Sequence, residues 1–193
     1  MERELVKISV RDLVEFILQS GDIDNRIGGK KDAESMLAGA RIHRKIQRSM
    51  GSDYHAEVTL KHLIPMEKFD LQVEGRADGI IDGNPVTIDE IKGIYKSLEY
   101  LKEPVTVHLA QAKCYAYIYG IQNEKSEMDI QMTYVNLDTE QKLYFYEHYT
   151  IDELSEWFDT LVMEYKKWAE FRYEWKLLRN ASIKEVQFPY EYR

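Results

Sequence analysis

The chain has 193 residues, of which 44% are hydrophobic and 31% are charged, the balance of a globular domain rather than of a disordered chain. Its 26 basic and 34 acidic side chains give a net charge of -8, which argues against non-specific coating of nucleic acid but allows a local basic groove. The single cysteine, Cys114, excludes an intrachain disulfide and a zinc or iron–sulfur site made of four cysteines, and it suits a reducing, cytoplasmic compartment. No apolar run approaches the ~20 residues of a membrane-spanning helix, so no membrane partner is expected.

Hydrophobic periodicity predicts helices and strands in a mixed order. The predicted elements are helices at 8–20 and 32–50, strands at 54–63, 69–81 and 85–92, a helix at 105–120, strands at 128–136 and 141–149, and a long helix at 151–180. Ser9 and Asp12 have the spacing of a capping box at the start of the first helix. This order predicts an α/β fold with a central sheet flanked by helices, as one domain over 1–180 with a tail at 181–193.

The hairpin formed by the second and third predicted strands carries the charged residues that suggest chemistry. Residues two apart on a strand share a face, so Glu90 and Lys92 project together from an otherwise apolar strand. Asp78 joins them if the loop is the three residues 82–84, whereas a two-residue loop would bring Asp89 there instead. Two converging carboxylates suit Mg²⁺ or Mn²⁺, and an adjacent ammonium could orient a water or neutralise a phosphate oxygen. The alternative is an exposed salt bridge between Lys92 and one of these acids.

Four short motifs occur in a fixed order around this hairpin. They are Gly39 with His43, Gly75-Arg76 with Asp78, Glu90-Ile91-Lys92, and Gln111 with Tyr115. Over about residues 35–135, the ordered set resembles the PD-(D/E)XK nuclease superfamily, and within it the RecB-like and CRISPR-associated exonuclease branch. The resemblance implies a restriction-endonuclease-like core and a DNA nuclease, expected to be an exonuclease, that depends on Mg²⁺ or Mn²⁺.

The same resemblance implies a role for each matched residue. The implied metal ligands are His43, Asp78, Glu90 and the backbone carbonyl of Ile91. The implied catalytic residues are Asp78, Glu90 and Lys92. Gln111 and Tyr115 lie one helical turn apart and would face the substrate strand. From the residue pattern alone, without the other motifs, a packed core position is the favoured interpretation of both His43 and Tyr115.

Three further residues are candidates for the site. The branch often carries a glutamate on the strand that contains Glu57, which would reach the site through water or through Arg76. Asp89 is the other choice for the acid beside Lys92, although the predicted register turns it to the opposite face.

Members of the branch often hold an iron–sulfur cluster on four cysteines, and no such cluster is expected here because Cys114 stands alone and fits a packing role.

The stretch from Ser35 to Ser52 contains no acidic residue and concentrates positive charge. Its basic side chains are Arg41, Arg44, Lys45 and Arg48. Contact with DNA phosphates and a simple solvated helix face are both open interpretations. Three lysines could extend the basic track: Lys96, Lys102 and Lys113. The segment 94–104 has the composition of a mobile flap after the active strand.

The C-terminal residues Phe188-Pro189-Tyr190 and Arg193 resemble the lead-in to the core of XPD/DinG-like DNA helicases. That resemblance implies a helicase–nuclease in DNA repair or recombination, with a helicase domain in cis and single-stranded or end-bearing duplex DNA as partners. The leading hypothesis is therefore a metal-dependent deoxyribonuclease. The alternatives are a catalytically inactive nuclease fold that binds DNA or docks a partner, and a structural α/β domain whose Glu-x-Lys pair is a salt bridge.

Overall fold

The computed structural model describes residues 3–18 and 30–185 of the chain. Its elements are β1 (Leu5–Ser9), α1 (Val10–Leu18), α2 (Lys30–Ser49), β2 (Tyr54–Pro65), β3 (Asp70–Ile81), β4 (Val86–Ile94), a 3₁₀ helix (Leu98–Tyr100), α3 (Thr106–Gln122), β5 (Glu127–Asn136), β6 (Lys142–Thr150) and α4 (Ile151–Glu185). The predicted α/β fold, with a central mixed sheet flanked by helices and a long C-terminal helix, is confirmed. The predicted end of the first helix and the helicase-like motif at 188–193 lie outside the described residues.

The sheet is organised around β3, which changes partner along one of its edges. On one edge, β2 runs antiparallel to β3 from Asp70 to Ile81, with an interruption at Asp78. On the other edge, β1 pairs in parallel with residues 70–74, and β4 pairs antiparallel with residues 79–81. Between these partners, within the described part of the chain, residues 75–78 pair with no strand on that edge. The sheet continues from β4 to a parallel β5 and an antiparallel β6. We call the gap between β3 and the end of β4 the fork.

The two faces of the sheet are covered unequally. Helices α1, α3 and α4 cover one face, where a large core contains residues of β3, β4 and β5 such as Leu71, Ile88 and Ile130. Helix α2 lies on the other face over a small cluster formed by Ile42, Ile46, Ile91 and Val135. Each fully buried aliphatic side chain contributes about 1.5–3 kcal/mol of transfer free energy, so the larger core carries most of the stability.

The N-terminal segment shows what periodicity predicts and what it misses. The Ser9 hydroxyl accepts the backbone N–H of Asp12 at 2.9 Å, so the predicted helix cap is confirmed. The helix begins at Val10, however, and the preceding Leu5–Ser9 is a strand that the sequence pattern did not reveal. This strand is short and half exposed, and it forms only because β3 offers a free edge beside it.

The hairpin loop is longer than predicted, although its parity is the same. Ile81 lies opposite Thr87, so residues 82–86 separate the paired positions, and the predicted loop of 82–84 was wrong. Gly79 lies opposite Asp89. Continued by one position toward the fork, this register places Asp78 opposite Glu90, although the two strands no longer pair there. Lengthening a hairpin loop by two residues preserves the even register, so the predicted relative face of the two acids is unchanged. None of the helices in the two described ranges is long and apolar enough to cross a lipid bilayer.

Candidate active site

Asp78 lies at the point where the sheet forks and is held by two elements. Its Oδ2 accepts the backbone N–H of Ile91 at 2.9 Å, which β4 can no longer pair with β3 at this position. Its Oδ1 lies 3.2 Å from Nδ1 of His43 on α2. Burial lowers the pKa of His43, but the hydrogen bond and the charge of Asp78 outweigh burial and raise it. The carboxylate thus ties α2 to β4 across the fork.

The backbone of the β2–β3 ladder is irregular beside Asp78. Ala77 packs into the main core and so does Ile80, so the two-residue alternation of buried side chains changes phase between them. On the opposite strand, Glu57 has a φ of 59°, in the left-handed region that costs a non-glycine residue about 1–3 kcal/mol. The ladder keeps one register on either side but does not pair these two positions. This irregularity frees Asp78 from the regular pleat.

A polar bridge connects Glu57 to the same point. Its Oε2 pairs with Nε of Arg76 at 2.5 Å, and its Oε1 accepts a hydrogen bond from Gln47 at 2.9 Å. Gln47 also donates to the backbone carbonyl of Asp78 at 2.9 Å. Glu57 therefore approaches the site through Gln47, which sequence reasoning missed. The available signal was its spacing of four residues from His43, which puts both side chains on one face of α2.

Glu90 is the most unusual carboxylate of the fork. It is 4% exposed, and its Oε1 lies 2.8 Å from Nζ of Lys92. Its Oε2 is buried and has no hydrogen-bond partner among the described residues. Burial raises the pKa of Glu90 well above its usual range, against the opposing charge of Lys92, and the charge of Asp78 adds to the rise. An unpaired buried acceptor costs about 1–3 kcal/mol, so this oxygen would gain from a cation.

Lys92 is held between two acceptors. Besides Glu90, its ammonium donates to Oε1 of Gln111 on α3 at 2.6 Å. Gln111 is only 5% exposed, so the structure brings it to the lysine rather than to an open groove. The position of the lysine is therefore fixed by one residue of its own strand and by one residue of α3.

Tyr115 packs in the main core and is only 6% exposed, which leaves little of its ring free to stack on a base. Burial and then the charges of Glu90 and Asp78 raise the pKa of its hydroxyl, so the hydroxyl end of this core residue lies near the fork. Its hydroxyl packs against Gly75, where a Cβ would come within 2.7 Å of it. The glycine that opens the Gly75-Arg76 motif thus makes room for this ring.

Asp89 faces away from the fork and belongs to a separate buried network. It is fully buried and accepts hydrogen bonds from the hydroxyl of Tyr54 at 3.0 Å, Oγ1 of Thr133 at 2.5 Å and the amide of Gln131 at 3.1 Å. Burial raises its pKa, while these three donors oppose the rise. Of the two adjacent acids, Glu90 is therefore the one at the fork.

The basic side chains of α2 form an exposed surface next to the fork. They line one depression and comprise Arg41, Arg44, Lys45 and Arg48. Lys45 also pairs with Glu140. Lys113, expected to extend this track, instead lies 4.6 and 4.5 Å from the ring centres of Tyr149 and Trp157 and does not belong to it. We call the four α2 residues the basic face.

The fork fits a divalent cation by the chemistry of its donors. The Asp78 carboxylate contacts the His43 imidazole, and Glu90 on β4 is near enough for its charge to act on both, with one buried carboxylate oxygen that lacks a partner among the described residues. Among the described residues, however, no three His, Cys, Asp or Glu side chains already form a metal-holding group. The contacts present are two separate pairs, Asp78 with His43 and Glu90 with Lys92.

No protein-family model and no curated protein matches the chain. Among solved structures, the chain is similar to an alkaline exonuclease, LHK-Exo from Laribacter hongkongensis, with a TM-score of 0.54 and 13% identity over 93% of this chain and 95% of that one. The same exonuclease in complex with dAMP gives a TM-score of 0.53 and 14% identity over the same shares. A protein called SSO0001 gives 0.54 and 17% over 81% of this chain and 75% of that one. At these identities the similarity shows the fold alone, and that fold is nuclease-like.

Proposed function

We propose that this chain is a nuclease that hydrolyses phosphodiester bonds of DNA with Mg²⁺ or Mn²⁺. The observation that carries the proposal is the buried Glu90, with one oxygen unpartnered and the other on Lys92, in the same fork as Asp78. The fold shared with an alkaline exonuclease supports it.

His43, Asp78, Glu90 and the carbonyl of Ile91 would hold the cation. When bound, such a cation polarises a phosphate oxygen and lowers the pKa of a water. The chain's own part is to keep the reacting groups in place. Ile91 N–H and His43 orient the two oxygens of Asp78, which leaves the carboxylate little freedom to rotate.

Lys92 supplies the positive charge of the proposed reaction. Glu90 and Gln111 hold its ammonium at 2.8 and 2.6 Å, so it does not have to be ordered when substrate arrives. In this position it would orient the attacking water or stabilise the charge that develops on the phosphate oxygens. Since Lys92 already neutralises one oxygen of Glu90, the two residues act as a pair.

The test is digestion of end-labelled linear DNA and circular DNA with either metal. We expect metal-dependent cleavage by the wild type and a loss of at least a hundred-fold in Asp78→Ala and Lys92→Ala, the range typical when an electrostatic catalytic group is removed. Lys125→Ala, at an exposed lysine outside the fork, serves as the matched control. Resistance of the circle would assign an exonuclease. Wild-type cleavage by Asp78→Ala would show that the assignment is wrong.

A second candidate is a catalytically inactive nuclease fold that binds DNA or a partner. It is favoured by the existing pairs of His43 with Asp78 and of Lys92 with Glu90, which occupy oxygens that a cation would need. Calorimetric titration of Mn²⁺ into wild type and Glu90→Gln separates the two. Heat that disappears in Glu90→Gln supports the nuclease, and no heat at millimolar Mn²⁺ supports the inactive fold.

The proposal includes residues 1–180 as one nuclease module linked to a helicase in DNA repair or recombination. Its support is the resemblance of Phe188-Pro189-Tyr190 and Arg193 to a helicase lead-in. The test is whether a protein that carries this segment together with its downstream region hydrolyses ATP in a DNA-dependent manner. Absence of that activity would remove the helicase part and leave the nuclease proposal intact.

A further inference from the structure

A cavity of about 620 Å³ opens where β4 ends, beyond Lys92. Its lining comes from β4, from the segment that follows, and from β5, and includes Ile94, Tyr95, Lys96, Tyr100, Val105 and Tyr134. This volume lies within the ~300–1,000 Å³ of typical small-ligand pockets. We call it the β4 pocket.

The rim of the β4 pocket presents aromatic surface to solvent. Tyr100 is 84% exposed and Tyr95 is 50% exposed, so neither side chain is used to fill the core. Exposed aromatic and aliphatic groups around a concave surface are typical of ligand sites rather than of an idle surface. A flat, partly polar ring is the kind of ligand that such walls accept.

The back of the β4 pocket is rigid. Tyr134 is fully buried, and its hydroxyl oxygen accepts the backbone N–H of Val105 at 2.9 Å and lies 3.1 Å from Nδ1 of His108. On the opposite side, the Asn136 amide donates to the backbone carbonyl of Lys96 at 3.2 Å. These bonds attach the lining segment to β5 before any ligand arrives, which reduces the entropy lost on binding.

The β4 pocket lies next to the fork along the same strand. Glu90, Lys92 and Ile94 are every second residue of β4 and therefore lie on one face of it. Tyr134 on β5 is the register partner of Lys92. Two strand residues span roughly 7 Å. Even at the compact rise of stacked B-DNA, about 3.4 Å per nucleotide in one strand, this distance corresponds to about two nucleotides from a phosphate at Lys92, and to fewer in an extended strand. Lys96 adds a positive charge that suits the connecting phosphates.

We propose that the β4 pocket binds one unstacked nucleobase of the DNA strand whose phosphate occupies the fork, with Tyr100 and Tyr95 stacking on its ring. A base inside a duplex is stacked on both sides and cannot enter without leaving its stack. The substrate class is therefore single-stranded DNA or a duplex end whose terminal base has left the stack. This inference rests on the proposed function, because it takes the fork as the phosphate site.

The test uses DNA binding without metal, so that cleavage plays no part. Single-stranded oligonucleotides carry 2-aminopurine at successive positions, and its fluorescence is followed on binding to wild type, Tyr100→Ala and the control Tyr146→Ala. Tyr146 is 68% exposed on β6 and does not line the β4 pocket. We expect quenching at one position in the wild type and the control and its loss in Tyr100→Ala. The high exposure of Tyr100 means that its replacement leaves the fold intact.

An abasic residue at the quenched position completes a double-mutant cycle. Base–aromatic stacking predicts that either change alone weakens binding about five- to a hundred-fold, and that Tyr100→Ala has no further effect on the abasic strand. Equal weakening of intact and abasic strands by Tyr100→Ala, or quenching at no position, would overturn the inference. If the cycle behaves as expected but metal-dependent cleavage is absent, the proposed catalysis fails while the base site stands. If metal-dependent cleavage is present but Tyr100→Ala and the abasic residue weaken binding independently, the base site fails while the proposed catalysis stands.

Discussion

Replacing Gly75 with alanine tests the packing that supports the fork. An added Cβ would lie 2.7 Å from the hydroxyl oxygen of Tyr115, 2.9 Å from its Cε1 and 3.2 Å from its Cζ. Three atoms of the Tyr115 side chain would thus be too close, and this side chain is only 6% exposed in the main core. Overpacking a filled core costs about 1–3 kcal/mol, so we expect Gly75→Ala to lower the free energy of unfolding by about that amount.

Two other glycines extend the prediction to a ranking of three Gly→Ala variants by stability. A Cβ on Gly79 would overlap the ring and hydroxyl of Tyr54, which is held by its hydrogen bond to Asp89, so Gly79→Ala should cost more than Gly75→Ala. Gly39 lies inside α2 with nothing within 4 Å of an added Cβ. Alanine is favoured over glycine inside a helix by about 1 kcal/mol, so Gly39→Ala should stabilise the protein.

The assay is urea unfolding of the three variants, followed by circular dichroism. Gly75→Ala combined with Tyr115→Phe should recover part of the loss, because the nearest of the three crowded atoms is removed and two remain. A neutral Gly75→Ala, or a Gly39→Ala variant less stable than Gly75→Ala, would refute the reasoning. The first result would mean that the Tyr115 ring can move away from the added methyl group. The second would mean that the backbone conformation of each glycine affects stability more than the contacts of the added Cβ.

Three further predictions concern other parts of the chain. Asp89→Ala leaves three donors without their acceptor and should lower the free energy of unfolding, measured with urea, by at least about 2 kcal/mol. Asp89→Asn should lose less, and an equal loss in the two variants would contradict the network. The hydrogen bond that the protonated His148 ring donates to Asp129 raises the pKa of His148, so the stabilising effect of this pair is complete below the unfolded pKa of 6.5 and disappears as pH rises through the higher folded value. The difference in Tm between wild type and Asp129→Asn should therefore be larger at pH 5.5 than at pH 9, and a pH-independent difference would contradict it. If the basic face contacts phosphates, Arg44→Ala should reduce the slope of log Kobs against log salt by about 0.7–0.9, whereas Lys125→Ala should leave the slope unchanged.

Residues close in the chain were largely predictable, because local rules govern them. The cap of Asp12 by Ser9 follows from spacing alone. The register of Asp78 and Glu90 is also local in one respect, since it depends on whether the number of loop residues is odd or even and not on the number itself. The wrong loop length therefore shifts the pairing by two positions but leaves Asp78 and Glu90 on the same relative face.

Residues that act through distant partners were not predictable in the same way. Gln47 connects to Glu57 and to Asp78 only after α2 has packed over the sheet, and its spacing from His43 indicates the shared helix face but not these two partners. Tyr115 shows the reverse case. A helical spacing allows either a groove or a core position, and the packing of its ring against Gly75 decides for the core.

The fork links the fold to the charge of the chain. When β3 exchanges β1 for β4, the backbone N–H of Ile91 is left without a strand partner, and a carboxylate is the side chain that best accepts it. The topology thus leaves a backbone donor at the fork, and in this chain the carboxylate of Asp78 accepts it. Lys92 and His43 balance part of the negative charge at the fork, and the exposed basic face lies beside it on α2. The net charge of -8 is therefore compatible with phosphate contact, because binding depends on where opposite charges lie and not on their sum.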